Sequence, residues 1–523
     1  MFEAIKKFFI NGLNDINEVM IKPLTRLSFY QKCFLIIVAG LLLYVPYVNG
    51  FNATHDEKYT LLMCRFDVLK MIKIIAVEDG HPPLSYLYSK FWIWLFGSDI
   101  HHIFALRLAT LFAFLLTALL GVFPLKRLLG EKVALAWIGL VFVLPSSFYL
   151  ATNIRMYPLA VLFLSGEFMY AMLFVYQNRK YDLLWFFVLT IFALYTHYYC
   201  VILSAVIWLI VLIDLIRLKE RTKIIRFLAA GAVAALLYIP WLFAFLLQYQ
   251  NMKGMWAVKK GYSYWAIYGA LLSYVNFLKI YHEICLFLGV FCWILVFEFL
   301  LDAPKNKFDH IVAKRAVIVF WSIYVIAFVL SFVLRPTLWA PYLVIPVGLF
   351  YIGIAVSFLH FKKFRVLFCV FIAMTFIVGY SENYIRVQDN GYQQTKEYIE
   401  EKLPQNTLVL YRYSGDHLLM MLDGPNVDIY YIPMEKYIVL FQDEVEAEDR
   451  HLKNLDKYEH FYTVTSMFDF EDFINCEARF ESKYDQFNYC FKEISKDEAV
   501  RVIERTKKIR QESFHEKSLK LWQ

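Results

Sequence analysis

The chain has 523 residues, of which 60% are hydrophobic and 19% charged, whereas soluble domains average about 45–50% apolar and about 25% charged. Aromatic residues make up 19%, an excess typical of lipid-facing surfaces and of the belts at membrane interfaces. This composition excludes an ordinary soluble protein and predicts a multi-pass membrane protein. The net charge of +7 is modest, so the placement of lysine and arginine is more informative than their total, and we expect no nucleic-acid partner.

A polar segment precedes the first apolar run. Residues 1–32 carry scattered lysines and no small-residue cleavage site, so we predict a cytoplasmic segment rather than a cleavable signal peptide. Residues 33–380 follow as a predicted transmembrane helical bundle of about eleven spans. The predicted spans are Cys33–Val48, Ile103–Phe123, Val133–Leu150, Pro158–Tyr176, Leu183–Tyr199, Val201–Ile216, Phe227–Gln248, Ile284–Leu301, Ala316–Leu334, Tyr342–His360 and Val366–Tyr380.

The short loops between these spans predict the orientation, because lysine and arginine concentrate in cytoplasmic loops. The basic loops all fall on one side if the aromatic segment Tyr264–Ile280 lies at the interface or re-enters without crossing. We therefore place the chain in the inner (plasma) membrane, with the N-terminus cytoplasmic and the C-terminus extracytoplasmic. The long loop Phe51–Asp99 is then extracytoplasmic as well.

The last part of the chain is more polar. Residues 381–523 predict a small extracytoplasmic α/β domain that ends in a basic helical tail. Cys476 and Cys490 flank a predicted hairpin, and we expect them to form a disulfide if that compartment is oxidising. No CxxC motif or His-rich pair suggests a metal site. Strands are predicted at Thr407–Tyr411, Val427–Ile432 and Phe461–Thr465, and helices at Tyr398–Lys402 and Phe470–Asn475.

The outer loop holds the residues best suited to catalysis. Asp56 and Glu57 are adjacent carboxylates just after a span, where they are either a catalytic pair or a polar cap on a helix end. An amphipathic patch, Leu61–Ile75, follows. The two prolines after His81 restrict the backbone and remove two donors, which predicts a rigid bend that holds His81 in place. The same prolines also suit the first positions of a helix.

Further polar side chains fall on the same predicted outer face. Arg107 lies about one turn inside the second span, where a charge is costly and usually faces the protein interior or a wet cavity. Arg155 is the cation of a short turn, and contact with a lipid headgroup is its alternative role. Such a set suits an anionic lipid-linked substrate, since cations neutralise a phosphate and a carboxylate accepts a proton. Other members of the set are Tyr59, Tyr157, His197 and Lys259.

Five short motifs carry a family resemblance in their order and spacing. They are His-Asp-Glu-Lys-Tyr at 55–59, Gly-His-Pro-Pro-Leu at 80–84, Ala-Leu-Arg-Leu at 105–108, Asn-Ile-Arg-Met-Tyr-Pro at 153–158 and Tyr-Thr-His-Tyr-Tyr at 195–199. With them the chain resembles the C-type (GT-C) membrane glycosyltransferases, in particular the family of protein O-mannosyltransferases and lipid A aminoarabinose transferases (glycosyltransferase family 39-like). It departs from that pattern at Pro341, where many relatives carry arginine before a tyrosine.

The resemblance implies a mainly α fold and transfer of a hexose or pentose from a polyprenyl-phosphate donor, with inversion, to a lipid A, glycan or protein acceptor. Asp56 would be the catalytic carboxylate and Glu57 would assist in positioning. Aminoarabinose enzymes place lysine where this chain has His81, so His81 is predicted to contact phosphate. We expect neither a metal nor a cofactor. The expected partners are the donor, the acceptor and membrane lipids, and the protein is expected to be a monomer. The predicted substrate-binding residues are Tyr59, His81, Arg107, Arg155, Tyr157, His197 and Lys259.

Three other function classes compete with this interpretation. A lipid-linked substrate transporter or flippase would explain the spans and buried charges, but it does not require the motifs of the outer loop. Helices broken by glycine or proline in matched halves, which would favour a transporter, are not evident. A phosphoethanolamine transferase would need a larger outer domain with a metal cluster, and a sensor would leave the first outer loop unexplained.

Overall fold

The computed structural model describes residues 26–48, 55–96, 102–144, 146–251, 282–302, 307–333, 340–362, 365–388, 394, 397–412, 427–432, 455–466, 478–481, 488–505 and 508. The chain divides into two units. The first comprises Met1–Pro46 and Ala109–Tyr380, and the second comprises Tyr47–Leu108 and Ser381–Gln523. The second unit therefore contains the predicted catalytic loop.

Helices make up most of the described chain. In chain order they are α1 (Phe29–Val48), α2 (His55–Arg65), α3 (Val68–Glu78), α4 (Leu84–Phe96), α5 (His102–Leu120), α6 (Lys126–Val143), α7 (Ser146–Thr152), α8 (Tyr157–Tyr176), α9 (Asp182–Leu194), α10 (Tyr198–Arg217), α11 (Arg221–Asn251), α12 (His282–Asp302), α13 (Phe308–Val333), α14 (Ala340–Leu343), α15 (Val347–His360) and α16 (Arg365–Val387). A π-helical turn, Gly121–Leu125, joins α5 to α6.

Six helical stretches of the described residues are long and apolar enough to cross a membrane. The stretch Ile103–Val143 covers two predicted spans, and its helix is interrupted at Gly130, whose φ of 84° is readily adopted by glycine. Three shorter apolar helices lie in α9, α15 and α16. The chain is thus a multi-pass membrane protein, while the count of about eleven spans stays a prediction.

Prolines explain where two predicted spans differ from the observed helices. The predicted span Val133–Leu150 is wrong at its end, because α6 stops at Val143 and Leu144 is extended, with φ −75° and ψ 146°. Pro145 follows Leu144 in the sequence, and a residue before proline disfavours the helical conformation. The predicted span Tyr342–His360 is likewise divided, since α15 begins only after Pro346.

Helix α8 is buried along almost its whole length in the first unit. It packs against α9, α10 and α15. The approach of α15 depends on Gly348, because a Cβ atom there would lie 2.2 Å from the Ser165 Oγ atom. The carbonyl of Gly348 also accepts a hydrogen bond of 2.8 Å from the indole N–H of Trp137 on α6. Small residues at helix contacts are typical of membrane bundles.

A buried carboxyl links three of these helices. Glu167 on α8 is fully buried and accepts hydrogen bonds from Thr190 on α9, at 2.9 Å, and from Ser204 on α10, at 2.7 Å. Trp208 donates in turn to the Thr190 hydroxyl at 3.2 Å. The position of Glu167 inside a span follows from the sequence, whereas its partners become visible only in the packed bundle.

Removing this carboxyl is expected to destabilise the first unit. Glu167→Ala removes the acceptor of two hydroxyl groups and leaves a cavity, so we expect the free energy of unfolding to fall by about 2–4 kcal/mol. Glu167→Gln preserves the volume and one acceptor oxygen, so we expect less than half of that loss. Thermal unfolding of the purified variants in one detergent measures the difference. A glutamine variant as unstable as the alanine variant would contradict the hydrogen-bonding role.

Two ion pairs connect helix ends in the first unit. Arg127 of α6 donates to both carboxylate oxygens of Asp182 on α9, at 3.0 and 3.1 Å. Arg315 of α13 donates through two nitrogens to Asp214 of α10, and the Tyr176 hydroxyl of α8 donates to the same carboxylate at 3.1 Å. Both arginines are among the basic residues on which the predicted orientation is based, and in the structure they join helices.

The described part of the predicted outer loop forms three helices, α2, α3 and α4, in the second unit. The predicted amphipathic patch Leu61–Ile75 is not one helix, because Asp67 caps α3 by accepting hydrogen bonds of 3.0 Å from the backbone N–H groups of Leu69 and Lys70. These bonds, chiefly the one from Lys70, hold the pKa of Asp67 below its ordinary value. Lys90 of α4 donates to two backbone carbonyls at the end of α2 and joins these helices.

A five-stranded sheet lies in the C-terminal part of the second unit. Its order is β2-β1-β3-β5-β4, with β1 parallel to β2 and β3, and β5 antiparallel to β3 and β4. Leu408, Phe461 and Ile503 contribute to its apolar core, and residues 496–505 are helical. The strands are β1 (Thr407–Arg412), β2 (Val427–Ile432), β3 (His460–Ser466), β4 (Ala478–Glu481) and β5 (Asn488–Ile494).

Most of the elements predicted for this region have a counterpart in the structure. The three predicted strands correspond to β1, β2 and β3, and the predicted hairpin corresponds to the antiparallel pair β4 and β5. The predicted helix Tyr398–Lys402 is a single π-helical turn. Cys490 on β5 is disulfide-bonded, whereas Cys476 and the predicted helix Phe470–Asn475 lie outside the described residues. A separate domain over residues 381–523 stays a prediction.

Candidate functional site

The two adjacent carboxylates lie in the first turn of α2 and differ in exposure. Asp56 is exposed, whereas Glu57 is only 3% exposed. A negative charge is favoured at a helix N-terminus, where backbone N–H groups create a positive potential. The Asp56 carboxylate is therefore within reach of a molecule in solution, while Glu57 is placed for an internal role.

The bend at the far end of the loop holds His81 in a buried hydrogen-bonded group. The His81 Nδ1 atom lies 3.1 Å from Asp79 Oδ1, and both residues are buried. Pro83 accepts a hydrogen bond of 3.0 Å from the N–H of Leu87 on α4. The chain bends at Gly80 and His81, and α4 begins at Leu84, so the two prolines directly precede the helix rather than occupy its first positions.

Two tyrosines continue this group. Tyr86 of α4 is buried and donates its hydroxyl to Asp79 Oδ2 at 2.6 Å. The ring of Tyr59 on α2 meets the Tyr86 ring edge to face, with centroids 6.2 Å apart. The predicted site residues Tyr59 and His81 are thus brought together through Asp79 and Tyr86, neither of which the motif analysis selected.

Arg107 lies on α5 in the same unit and is 2% exposed. A buried guanidinium must be paired or hydrogen-bonded, because an isolated charge away from water is very costly. Its burial agrees with the expectation that a charge at this depth faces the protein interior. With Asp56, Glu57, Tyr59 and His81, it completes the predicted site residues of the second unit.

An aromatic group in the first unit contains two more of the predicted site residues, Tyr157 and His197. The His197 ring lies 6.0 Å from Tyr157, 5.5 Å from Tyr199 and 5.0 Å from Tyr342, measured between centroids. Tyr342 belongs to the turn in which this chain departs from the family pattern, so its contact with His197 was not predicted. The only hint of a role for Tyr342 in the sequence is that the tyrosine of the family pattern is retained after Pro341.

His197 also has a structural role. It is the N-cap of α10, where its Nδ1 atom accepts a hydrogen bond of 3.0 Å from the backbone N–H of Tyr199. An accepting Nδ1 places the ring proton on Nε2 in the neutral form. This cap ends the predicted span Leu183–Tyr199 early, since α9 stops at Leu194.

The remaining predicted site residues are less defined. Arg155 is half-buried in the turn between α7 and α8, and its backbone N–H donates to the Asn153 carbonyl at 2.9 Å. Lys259 lies outside the described residues.

Thiol and metal chemistry find little support among the described residues. Burial raises the pKa of Cys64 on α2 to about 12, so this thiol is neutral at ordinary pH and unsuited to nucleophilic attack. Within the described ranges, no group of three or more His, Cys, Asp or Glu side chains is arranged to hold a metal ion.

Comparison with known proteins identifies the fold. No protein-family model and no curated protein sequence matches the chain. ArnT from Cupriavidus metallidurans in the apo state matches with a TM-score of 0.59 and 12% identity over 88% of this chain and 97% of that chain. The same protein bound to undecaprenyl phosphate matches with a TM-score of 0.56 and 13% identity, over 88% of this chain and 98% of that chain. An Archaeoglobus fulgidus oligosaccharyltransferase tethered with an acceptor peptide scores 0.45 at 10% identity, over 83% and 69%.

These identities establish similarity of fold. The chain has the fold of ArnT, a lipid A aminoarabinose transferase of the C-type class, along most of its length. The resemblance drawn from the five sequence motifs is therefore confirmed at the level of the fold.

Proposed function

We propose that this chain is a membrane glycosyltransferase that moves a sugar from a polyprenyl-phosphate donor to an envelope acceptor on the outer face of the membrane. The observation that carries the proposal is the exposed Asp56 at the start of α2, in a chain whose fold is that of ArnT. One ArnT structure contains undecaprenyl phosphate, which is a donor of this class without its sugar.

Asp56 is the proposed general base. Its carboxylate accepts the proton of an acceptor hydroxyl, and the hydroxyl oxygen forms a bond to the anomeric carbon. The bond from that carbon to the phosphate oxygen breaks at the same time, so the configuration inverts and polyprenyl phosphate leaves. Glu57, which is buried beside Asp56, serves in positioning.

Positive side chains stabilise the departing phosphate in this proposal. Preorganised cations near developing negative charge are often a large catalytic contribution. Tyr59, Tyr157 and His197 are proposed to contact the substrates. The proposed phosphate-binding residues are His81, Arg107, Arg155 and Lys259.

The proposed topology follows from the same function. About eleven spans within residues 33–380 place Phe51–Asp99 and the C-terminal region outside an inner (plasma) membrane and residues 1–32 in the cytoplasm. This arrangement puts the proposed base on the face where an envelope lipid, glycan or protein would be met. We propose a monomer that requires neither metal nor cofactor.

The direct test uses purified protein in detergent with a panel of radiolabelled polyprenyl-phosphate sugars and a crude envelope extract as acceptor. Transfer of label together with release of polyprenyl phosphate from one donor supports the proposal and identifies the sugar. If no donor is consumed, and the same donors cross the bilayer of liposomes that contain the protein, the flippase alternative replaces it.

A further inference from the structure

We infer that Asp79 is a positioning residue that sets the orientation and ring proton of His81, so that His81 Nε2 meets the donor phosphate. This inference rests on the proposed function for the identity of the phosphate. The contact between the two side chains does not depend on it, because it is a feature of the folded loop.

The Asp79 carboxylate is held by three groups. Its Oδ1 atom accepts from the backbone N–H of Gly80, at 2.6 Å, and lies 3.1 Å from His81 Nδ1. Its Oδ2 atom accepts from the Tyr86 hydroxyl at 2.6 Å. Asp79, His81 and Tyr86 are all less than 10% exposed, so water competes little for these contacts. A carboxylate held by groups on both oxygens cannot rotate freely, and it restrains the imidazole beside it.

The proton positions follow from what each atom can do. An ionised carboxylate only accepts hydrogen bonds, so the His81 Nδ1 atom facing Asp79 must carry a proton. In the neutral ring the other nitrogen, Nε2, then has none. Phosphate oxygens also accept, so Nε2 donates to a phosphate only when the ring is the doubly protonated cation. The Asp79 carboxylate, 3.1 Å from Nδ1, is the group that fixes which ring nitrogen faces away from it.

The second unit therefore contains a three-residue series in which Tyr86 holds Asp79 and Asp79 holds His81. Residues that orient a histidine in this way at metal sites alter function by about 10–100-fold when they are changed. We expect a similar loss of transfer here for Asp79→Asn, since an amide can present an N–H to Nδ1 where the carboxylate only accepts, which changes the ring proton and orientation of His81.

A double-mutant cycle tests whether Asp79 acts through His81. In the wild-type background, Asp79→Asn should lower kcat/KM for sugar transfer by about 10–100-fold. In a His81→Gln background the same change should cost less than about twofold, because the residue through which it acts is gone. Asp67→Asn, at an exposed helix cap in the same loop, is the matched control and should stay within about twofold. Equal losses from Asp79→Asn in both backgrounds would overturn the inference.

A second measurement needs no donor. Nitrogen-15 NMR of histidine-labelled protein, with the His81 signal assigned by difference from His81→Gln, should show a protonated Nδ1 that loses its proton or shifts in Asp79→Asn. An unprotonated Nδ1 in the wild type would overturn the inference. Absence of transfer from every donor, with a protonated Nδ1, would instead overturn the proposed function and leave the Asp79–His81 pair established.

Discussion

Asp56→Asn is expected to lower kcat for sugar transfer by about 10²–10⁴-fold, because an amide cannot take the proton of the attacking hydroxyl. Asparagine has nearly the shape of aspartate, and the Asp56 side chain is exposed, so folding should be little affected. The loss of a negative charge from the first turn of α2 costs about 0.3–1 kcal/mol. Binding of the donor should change much less than kcat.

The measurement compares transfer rates of purified wild type and Asp56→Asn at saturating donor, with thermal unfolding as the check on folding. Asp67→Asn is again the matched control, since Asp67 is also an exposed loop aspartate near a helix start. Undiminished transfer by a folded Asp56→Asn protein would move the base to another residue. A variant that fails to bind donor would show a binding role instead.

The second large effect concerns stability. Asp214→Ala is expected to destabilise the protein by about 3–5 kcal/mol, because it leaves the Arg315 guanidinium without its carboxylate in a poorly solvated place. The Asp214 side chain is 4% exposed and that of Arg315 is 16% exposed. The change also takes the acceptor from the Tyr176 hydroxyl, so three helices, α8, α10 and α13, lose a common contact.

A nearby surface pair provides the control for this prediction. Glu220 accepts from Lys223 at 3.1 Å, but its side chain is 42% exposed, so Glu220→Ala should cost less than about 1 kcal/mol. Thermal unfolding in one detergent measures both variants, and Asp214→Asn separates charge from hydrogen bonding. Similar melting temperatures for Asp214→Ala and Glu220→Ala would show that burial does not strengthen the Asp214–Arg315 pair.

Much of the helical layout was predictable because its signals are local. Long apolar runs mark α8 and α10, whose predicted and observed positions overlap closely, and α13, which begins at Phe308 rather than at the predicted Ala316. The differences at helix ends have local causes. In the sequence Pro145 follows the last residues of α6 and Pro346 precedes α15, and proline and the residue before it both disfavour a continuous helix.

The sequence predicted which residues belong to the candidate site better than it predicted the contacts between them. Asp56 and Glu57 were selected as a pair, yet adjacent positions on a helix face different directions, and the structure gives them opposite exposure. Asp79 stands two residues before His81, just outside the motif at 80–84, but its role depends on Tyr86 of α4. Tyr342 reaches His197 only through the packing of helices far apart in the chain.

By itself, the sequence determined that this is a membrane protein, where most of its helices lie, and which kinds of side chain the outer loop carries. These properties follow from composition and from apolar runs, which act within a few turns of helix. Only the tertiary structure decided that Ser204 and Thr190 satisfy Glu167, that Tyr342 meets His197, and that Asp56 rather than Glu57 reaches solvent. Each of these depends on how one helix packs against another, which no local pattern specifies.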